Sequence, residues 1–171
     1  MPSSFLWEIY VMKDLVAQLS EVTLNLPSYT MNIEKGDQGK YFVFDPIRKK
    51  KLLLTPEEWV RQHITHYLVE HMKYPGSLIS LEKGLKYNAL QKRFDILVLD
   101  RSGASFFLIE CKAPDVKLSQ RTVEQVCVYN NKFNAPYICI SNGRMHFCLK
   151  KDLQTGKYSQ ISHFPEFEQN Q

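Results

Sequence analysis

The sequence has few of the features that mark zinc-binding, disulfide-rich or membrane proteins. Its four cysteines form no Cys-x-x-Cys pair and no cluster with histidine at zinc-ligand spacing. No apolar run approaches the roughly 18 residues of a transmembrane helix. Segment 5–19 is fairly apolar, but Glu8 and Asp14 interrupt it, so it is not typical of a signal peptide. We therefore expect a cytoplasmic protein without a membrane partner, whose cysteines are mostly small buried hydrophobic residues.

Composition and length are ordinary for a globular protein. The chain has 171 residues, 44% of them hydrophobic and 23% charged, with a formal net charge of +4. This modest excess of basic residues permits a polyanionic partner without requiring one. The sequence contains neither an internal repeat nor a low-complexity segment, so we expect residues 1–171 to form a single domain.

Residue patterns predict a mixed sheet flanked by helices. A peripheral helix is expected over 1–26, and a second helix begins at the N-cap Thr55 and ends at Pro75-Gly76. The remaining predictions are a third helix over 119–133 and strands over 41–44, 78–87, 93–100, 105–112, 137–141 and 144–151. From residue 55 onward the core order is α-β-β-β-α-β, which predicts an α/β sandwich. The tail 152–171 carries little signal.

The predicted hairpin places two acids opposite each other. If Asp100 pairs with Ser105 across the turn, Asp95 lies directly opposite Glu110. Alternation along the strand puts Glu110 and Lys112 on one face. Two facing carboxylates repel by up to about 1 kcal/mol in an ordinary sheet. A divalent cation would remove that penalty, so the pattern favours a metal site.

Simpler interpretations remain open for each of these residues. Asp95 could merely begin a strand, and Lys112 could be a surface charge that pairs with Glu110. Glu58 lies three residues after Thr55, so it fits a capping box as well as it fits a metal ligand, and Glu57 is the alternative acid. Glu82, on the first core strand, is only a weak candidate.

An ordered set of motifs resembles the PD-(D/E)xK nuclease superfamily. The similarity is greatest to the nuclease domain at the N-terminus of the type I restriction enzyme R subunit, and it spans about residues 24–150. The motifs that carry it are TPEEWVRQ (55–62), KRFDI (92–96), IECKAP (109–114) and Gln125-x-x-x-Tyr129 followed by Asn130. An ExK triplet alone is weak, whereas the ordered set is fairly specific. The resemblance implies a restriction-endonuclease-like fold with its catalytic core in residues 55–143.

The resemblance also implies how the site would work. Two acids, Asp95 and Glu110, would hold Mg²⁺, and an acid on the first core helix, Glu58, would complete the metal shell. Lys112 would activate or position the attacking water. Mg²⁺ prefers hard oxygen ligands, so the main-chain carbonyl of Cys111 could add another, and Mn²⁺ is expected to substitute.

The helix that follows the hairpin supplies two further candidates. Gln125 and Tyr129 are spaced i, i+4 and would meet on one side of that helix. They would support Lys112 or contact the phosphate backbone. The simpler interpretation is a glutamine at the rim of the core and a half-buried tyrosine.

The leading hypothesis is therefore a Mg²⁺-dependent endonuclease that hydrolyses DNA phosphodiester bonds. We expect no ATP-driven motor in it, because segment 36–40 lacks the spacing of a phosphate-binding loop. Basic residues could line a DNA path: Arg48, Lys49, Lys50, Lys51, Arg61, Lys83, Lys86, Lys92 and Arg93.

Other functions and partners stay open at this stage. A catalytically weak or inactive nucleic-acid-binding or assembly module of the same fold is the alternative from another class, and a nuclease for RNA or branched DNA is a third. The partners to consider are DNA, proteins that supply specificity or translocation, and a second copy in a homodimer.

Overall fold

The computed structural model describes residues 14–81, 85–87, 90–92 and 94–167, and it describes no side chain within 82–93. The described chain contains the following helices and strands: α1 (Leu15–Ser20), β1 (Ile33–Lys35), β2 (Tyr41–Asp45), β3 (Lys50–Leu53), α2 (Pro56–His66), β4 (Ile79–Leu81), β5 (Leu85–Tyr87), β6 (Leu90–Lys92), β7 (Ile96–Leu99), β8 (Ser105–Cys111), α3 (Gln120–Asn130), β9 (Tyr137–Ser141), β10 (His146–Lys151) and β11 (Tyr158–Ile161).

Six strands form the central sheet, in the order β11-β10-β9-β8-β7-β4. Within it β8 and β9 are parallel, joined by the crossover helix α3, and the other neighbours are antiparallel. The predicted order α-β-β-β-α-β and the mixed sheet are therefore confirmed. The described chain also contains two smaller, separate sheets, β1-β2-β3 and the pair β5-β6.

The two long helices cover opposite faces of the sheet. Trp59, Val60 and Ile64 of α2 belong to a buried cluster that includes Ile96 and Ile109. The other cluster contains Val126 of α3, together with strand residues of the opposite face such as Leu97, Leu108, Ile138 and Ile140. Because side chains alternate along a strand, the β7–β8 hairpin contributes residues to the core on the α2 side and to the core on the α3 side. The result is the predicted sandwich.

Helix α2 begins where the sequence predicts. The Thr55 hydroxyl accepts a hydrogen bond from the Glu58 amide at 3.0 Å, and Pro56 occupies the first turn, where a missing N–H costs nothing. A π-helical turn, Tyr67–His71, then ends the helix a few residues before Pro75.

The hairpin reaches the predicted register by another route. The observed pairs are Leu99↔Ser105 and then Val98↔Phe107, so Phe106 is an extra residue in a bulge, and the predicted pairing of Asp100 with Ser105 is wrong. Beyond the bulge, Ile96 faces Ile109. Extending this register by one position places Asp95 opposite Glu110, as the sequence predicts.

Two other sequence predictions need correction. Helix α1 ends at Ser20, not near residue 26, and the first 13 residues of the predicted helix lie outside the described residues. The predicted strand 78–87 is not one strand, because Ile79–Leu81 joins the central sheet and Leu85–Tyr87 pairs with β6. The tail, described to residue 167, supplies the edge strand β11.

Candidate functional site

The end of the β7–β8 hairpin opens into a pocket of about 390 Å³. Asp95 directly precedes β7 and Glu110 is the penultimate residue of β8, so extending the observed register sets them opposite each other. Lys112 follows β8, and its amide donates to the Ser141 carbonyl at 2.8 Å, which ties this strand end to β9. The pocket is lined by Glu57, Phe94, Asp95, Glu110, Lys112, Thr122, Gln125, Val126 and Tyr129.

The Asp95 carboxylate is fixed by donors from two different elements. Its Oδ2 accepts from the Cys111 amide at 2.7 Å, and its Oδ1 accepts from Nη2 of Arg61 at 2.9 Å. The residue is only 6% exposed. Strand β8 and helix α2 together therefore set the orientation of this carboxylate.

Glu110 and Lys112 form a partly exposed ion pair on the same side. Lys112 Nζ donates to Glu110 Oε1 at 2.9 Å. Burial and the nearby charge of Asp95 raise the pKa of Glu110, which outweighs the lowering effect of Lys112. Burial alone would lower the pKa of Lys112, but the hydrogen bond and charge of Glu110, with Asp95 and Glu57, raise it. The pocket thus concentrates negative charge and keeps Lys112 protonated.

The two acids at the start of α2 point to different places. Glu58 is 5% exposed, and its carboxylate accepts hydrogen bonds from Arg48, Arg61 and Gln62. Glu57 has a side chain that is 42% exposed, lies 3.2 Å from Arg61 Nη2 and lines the pocket. The structure therefore brings Glu57, the alternative acid, to Asp95, Glu110 and Lys112. It places the predicted ligand Glu58 in a buried ionic network.

Helix α3 contributes the predicted Gln125 and Tyr129 to the pocket wall. Gln125 is exposed, whereas the Tyr129 hydroxyl is buried and has no hydrogen-bond partner among the described residues. Burial and the charges of Glu110 and Asp95 raise the pKa of Tyr129 to about 12. The hydroxyl is therefore a neutral donor within the pocket.

Cys111 participates through its main chain. Its thiol is fully buried in the α2-side cluster, where burial raises the pKa of the thiol well above its usual range. Across residues 14–81 and 94–167, no group of three histidine, cysteine or acidic residues is placed to hold a metal ion. A metal here would depend on a smaller carboxylate set, which is what Mg²⁺ commonly uses, with waters completing its shell.

Two of the basic residues predicted to line a DNA path are instead buried. The side chains of Arg48 and Arg61 are 8% and 3% exposed and pair with carboxylates, so that prediction is wrong for both. Lys51 is exposed and pairs with Glu34 at 2.5 Å. Glu82, Lys83, Lys86, Lys92 and Arg93 fall where no side chain is described.

Sequence reasoning missed the role of Arg61 as a link between acids. The signal was present, because Arg61 follows Glu57 and Glu58 at the i+4 and i+3 spacings of helical ion pairs. It also missed Phe94, Thr122 and Val126 as pocket-lining residues, for which neither position nor residue type gave a specific signal.

The helices of the described chain include none long and apolar enough to cross a membrane.

Comparison with curated proteins finds no match. A solved structure described as a fragment of an HsdR subunit of a type I restriction enzyme from Vibrio vulnificus YJ016 is 23% identical, with a TM-score of 0.47. The match covers 66% of this chain and 24% of that one, so this chain spans about a quarter of its length.

A comparison with protein families gives a broader match. The family described as type I restriction enzyme R protein N terminus matches residues 56–165, well over half of the 171 residues. That range begins with α2 and includes the hairpin, α3 and every strand from β4 to β11. The chain therefore belongs to the family of type I restriction enzyme R protein N-terminal domains.

Proposed function

We propose that the chain is a Mg²⁺-dependent endonuclease that hydrolyses DNA phosphodiester bonds. One observation carries this proposal: the hairpin register and the end of β8 bring Asp95, Glu110 and Lys112 into a single pocket. Family membership supports a nuclease-related domain of a restriction enzyme.

The donor set fits a hard divalent cation. Asp95 and Glu110 would be the two ligand carboxylates, with the Cys111 carbonyl as a further oxygen. Glu57, in place of Glu58, would be the acid from α2 that acts on the metal through its bound water. Glu58 is less suited because its carboxylate already bonds to two guanidinium groups. When bound, Mg²⁺ would offset the repulsion between the carboxylates, activate water and stabilise charge on the phosphate.

Lys112 would act as a cation and hydrogen-bond donor. A general base must be deprotonated at the working pH, and in the metal-free site Glu110, Asp95 and Glu57 raise the pKa of Lys112. Its ammonium group would therefore orient the attacking water or a phosphate oxygen.

Gln125 and Tyr129 would bind the substrate from the α3 side of the pocket. The buried Tyr129 hydroxyl can donate a hydrogen bond, and a phosphate oxygen is a suitable acceptor. Gln125 is exposed beside it and can reach the same backbone. These two residues would thus hold the strand in place while Lys112 faces the reacting group.

The test is a cleavage assay on linear, nicked, branched and single-stranded DNA, with an RNA of matched sequence, in Mg²⁺, Mn²⁺ or EDTA. We expect cleavage of DNA that requires the metal and is lost in Asp95→Asn. DNA binding without cleavage on every substrate would contradict the proposal and favour the alternative, a binding or assembly module. Preference for RNA or branched DNA would instead redefine the substrate.

A further inference from the structure

Arg61 contacts three carboxylates at the edge of the proposed metal site. Its Nη2 lies 2.9 Å from Asp95 Oδ1 and 3.2 Å from Glu57 Oε1, and its Nη1 bonds to Glu58. Two of these acids, Asp95 and Glu57, line the pocket. One guanidinium group therefore bridges the acids of the proposed metal site on α2 and at the start of β7.

The charge of Arg61 is poorly screened by solvent. Its side chain is 3% exposed, and the Asp95 side chain that it contacts is 9% exposed. Charges in such surroundings interact much more strongly than charges in water. A divalent cation that uses Asp95 would have to share this carboxylate with a positive group already bonded to it.

We propose that Arg61 is the internal counter-cation of the site, competes with the divalent metal for Asp95 and Glu57, and thereby sets the metal concentration that the site requires. This inference rests on the proposed function. In the absence of metal Arg61 stabilises the clustered acids, and its positive charge opposes metal binding. Removing the charge should therefore weaken the fold and strengthen metal binding, a combination that loss of a purely structural residue does not produce.

Arg48 provides a matched control within the same network. It is also largely buried and also bonds to Glu58, but it pairs in addition with Asp45, which does not line the pocket. Arg48→Gln should lower the melting temperature, as Arg61→Gln does, without changing metal affinity. The pair separates a general loss of stability from an effect on the site.

The first experiment measures Mn²⁺ binding by calorimetry and by electron paramagnetic resonance, without DNA. We expect Arg61→Gln to bind Mn²⁺ at least about tenfold more tightly than the wild type. Arg61→Lys retains the charge and should bind it within about twofold of the wild type. Affinity in Arg61→Gln that equals or falls below that of the wild type would overturn the inference, as would equal tightening in Arg61→Lys.

The second experiment measures the wild-type chain, and a substitution serves only to assign its resonances. Nitrogen-15 resonances of buried guanidinium groups would be followed in the wild-type chain as Mg²⁺ is added, with the Arg61→Lys spectrum used for assignment. We expect the Arg61 resonances to shift and those of Arg48 to stay in place. Arg61 resonances that do not move at saturating Mg²⁺ would overturn the inference.

The outcomes distinguish this inference from the proposed nuclease function. Metal-dependent DNA cleavage by the wild type, with no tightening in Arg61→Gln, refutes only the role of Arg61. Tighter Mn²⁺ binding in Arg61→Gln, with no DNA cleavage by any variant, leaves the role of Arg61 intact and refutes the nuclease. Absence of metal binding in both the wild type and Arg61→Gln refutes the two together.

Discussion

Glu57 and Glu58 are adjacent in sequence, yet they belong to two different electrostatic environments. Glu58 is buried among Arg48, Arg61 and Gln62, which meet its hydrogen-bonding needs inside the protein. Glu57 is partly exposed and faces a pocket where Asp95 and Glu110 add negative charge. One step along a helix turns a side chain by about 100°, and here that step separates a structural acid from an acid of the proposed metal site.

The largest expected effect is the loss of DNA cleavage when the ammonium group of Lys112 is removed from the pocket. Lys112→Ala is expected to reduce DNA cleavage by at least about 10²-fold, because a positioned donor to the water or phosphate is lost. Mn²⁺ affinity and melting temperature should change little, since the ion pair with Glu110 is partly exposed. Single-turnover cleavage at saturating Mg²⁺ provides the measurement. Near-wild-type rates would show that Lys112 does not position the water or the phosphate and only balances the charge of the pocket.

Substitution of Glu58, in the buried ionic network with Arg48 and Arg61, should lower the stability of the fold. Glu58→Gln is expected to cost about 3 kcal/mol in the free energy of unfolding, because two buried guanidinium groups lose a shared counter-charge. From sequence alone a capping-box role predicts almost no change. Chemical denaturation measures the loss, and cleavage by the folded fraction should remain close to that of the wild type.

The matched substitution Glu57→Gln should show the opposite pattern. Glu57 is partly exposed, and Arg61 keeps its bonds to Asp95 and Glu58, so we expect a stability loss of about 1 kcal/mol. The Mg²⁺ concentration for half-maximal cleavage should rise. If Glu58→Gln alone raised the Mg²⁺ requirement, the assignment of the two acids would be reversed.

Tyr129→Phe tests the α3 wall of the pocket. Removing a buried hydroxyl that has no described partner should leave stability unchanged or raise it by up to about 1 kcal/mol. Cleavage should nevertheless fall, because the donor proposed for the phosphate is lost. Thermal unfolding and cleavage rates must be read together. A marked loss of stability with normal cleavage would make the tyrosine purely structural.

The smallest expected effect is a pH dependence of stability that arises from Glu110. Its pKa is raised in the folded protein, so the folded state binds the proton more tightly than the unfolded state does. Without metal, its contribution to stability should therefore decline as pH rises from about 4.5 through the raised pKa. Glu110→Gln should flatten that part of the profile in EDTA. An unchanged slope would indicate that other groups cause it.

Sequence predicted the sheet core and the meeting of Asp95 with Glu110 because both depend on local alternation. The predicted register beyond the bulge is correct, but the predicted pairing next to the turn, Asp100 with Ser105, is wrong. Nothing in residues 100–106 marks Phe106 as a bulge. The turn itself is typical, with the Asp100 side chain accepting bonds from the Ser102 and Ala104 amides. The environments of Glu57 and Glu58 could not be predicted, because they depend on where α2 sits against β2 and β7.

The hairpin also has a consequence for the order in which the chain folds. Asp95 and Glu110 are joined by a short antiparallel connection, whereas β8 meets β9 only after the α3 crossover is in place. Hairpins close in about 1–10 μs, and non-local parallel pairing is slower. We expect the two like charges to come together early, before Arg61 arrives on α2 to balance Asp95. Pulsed hydrogen exchange during refolding should then protect β7 amides before those of β9, and divalent cations should accelerate the early phase.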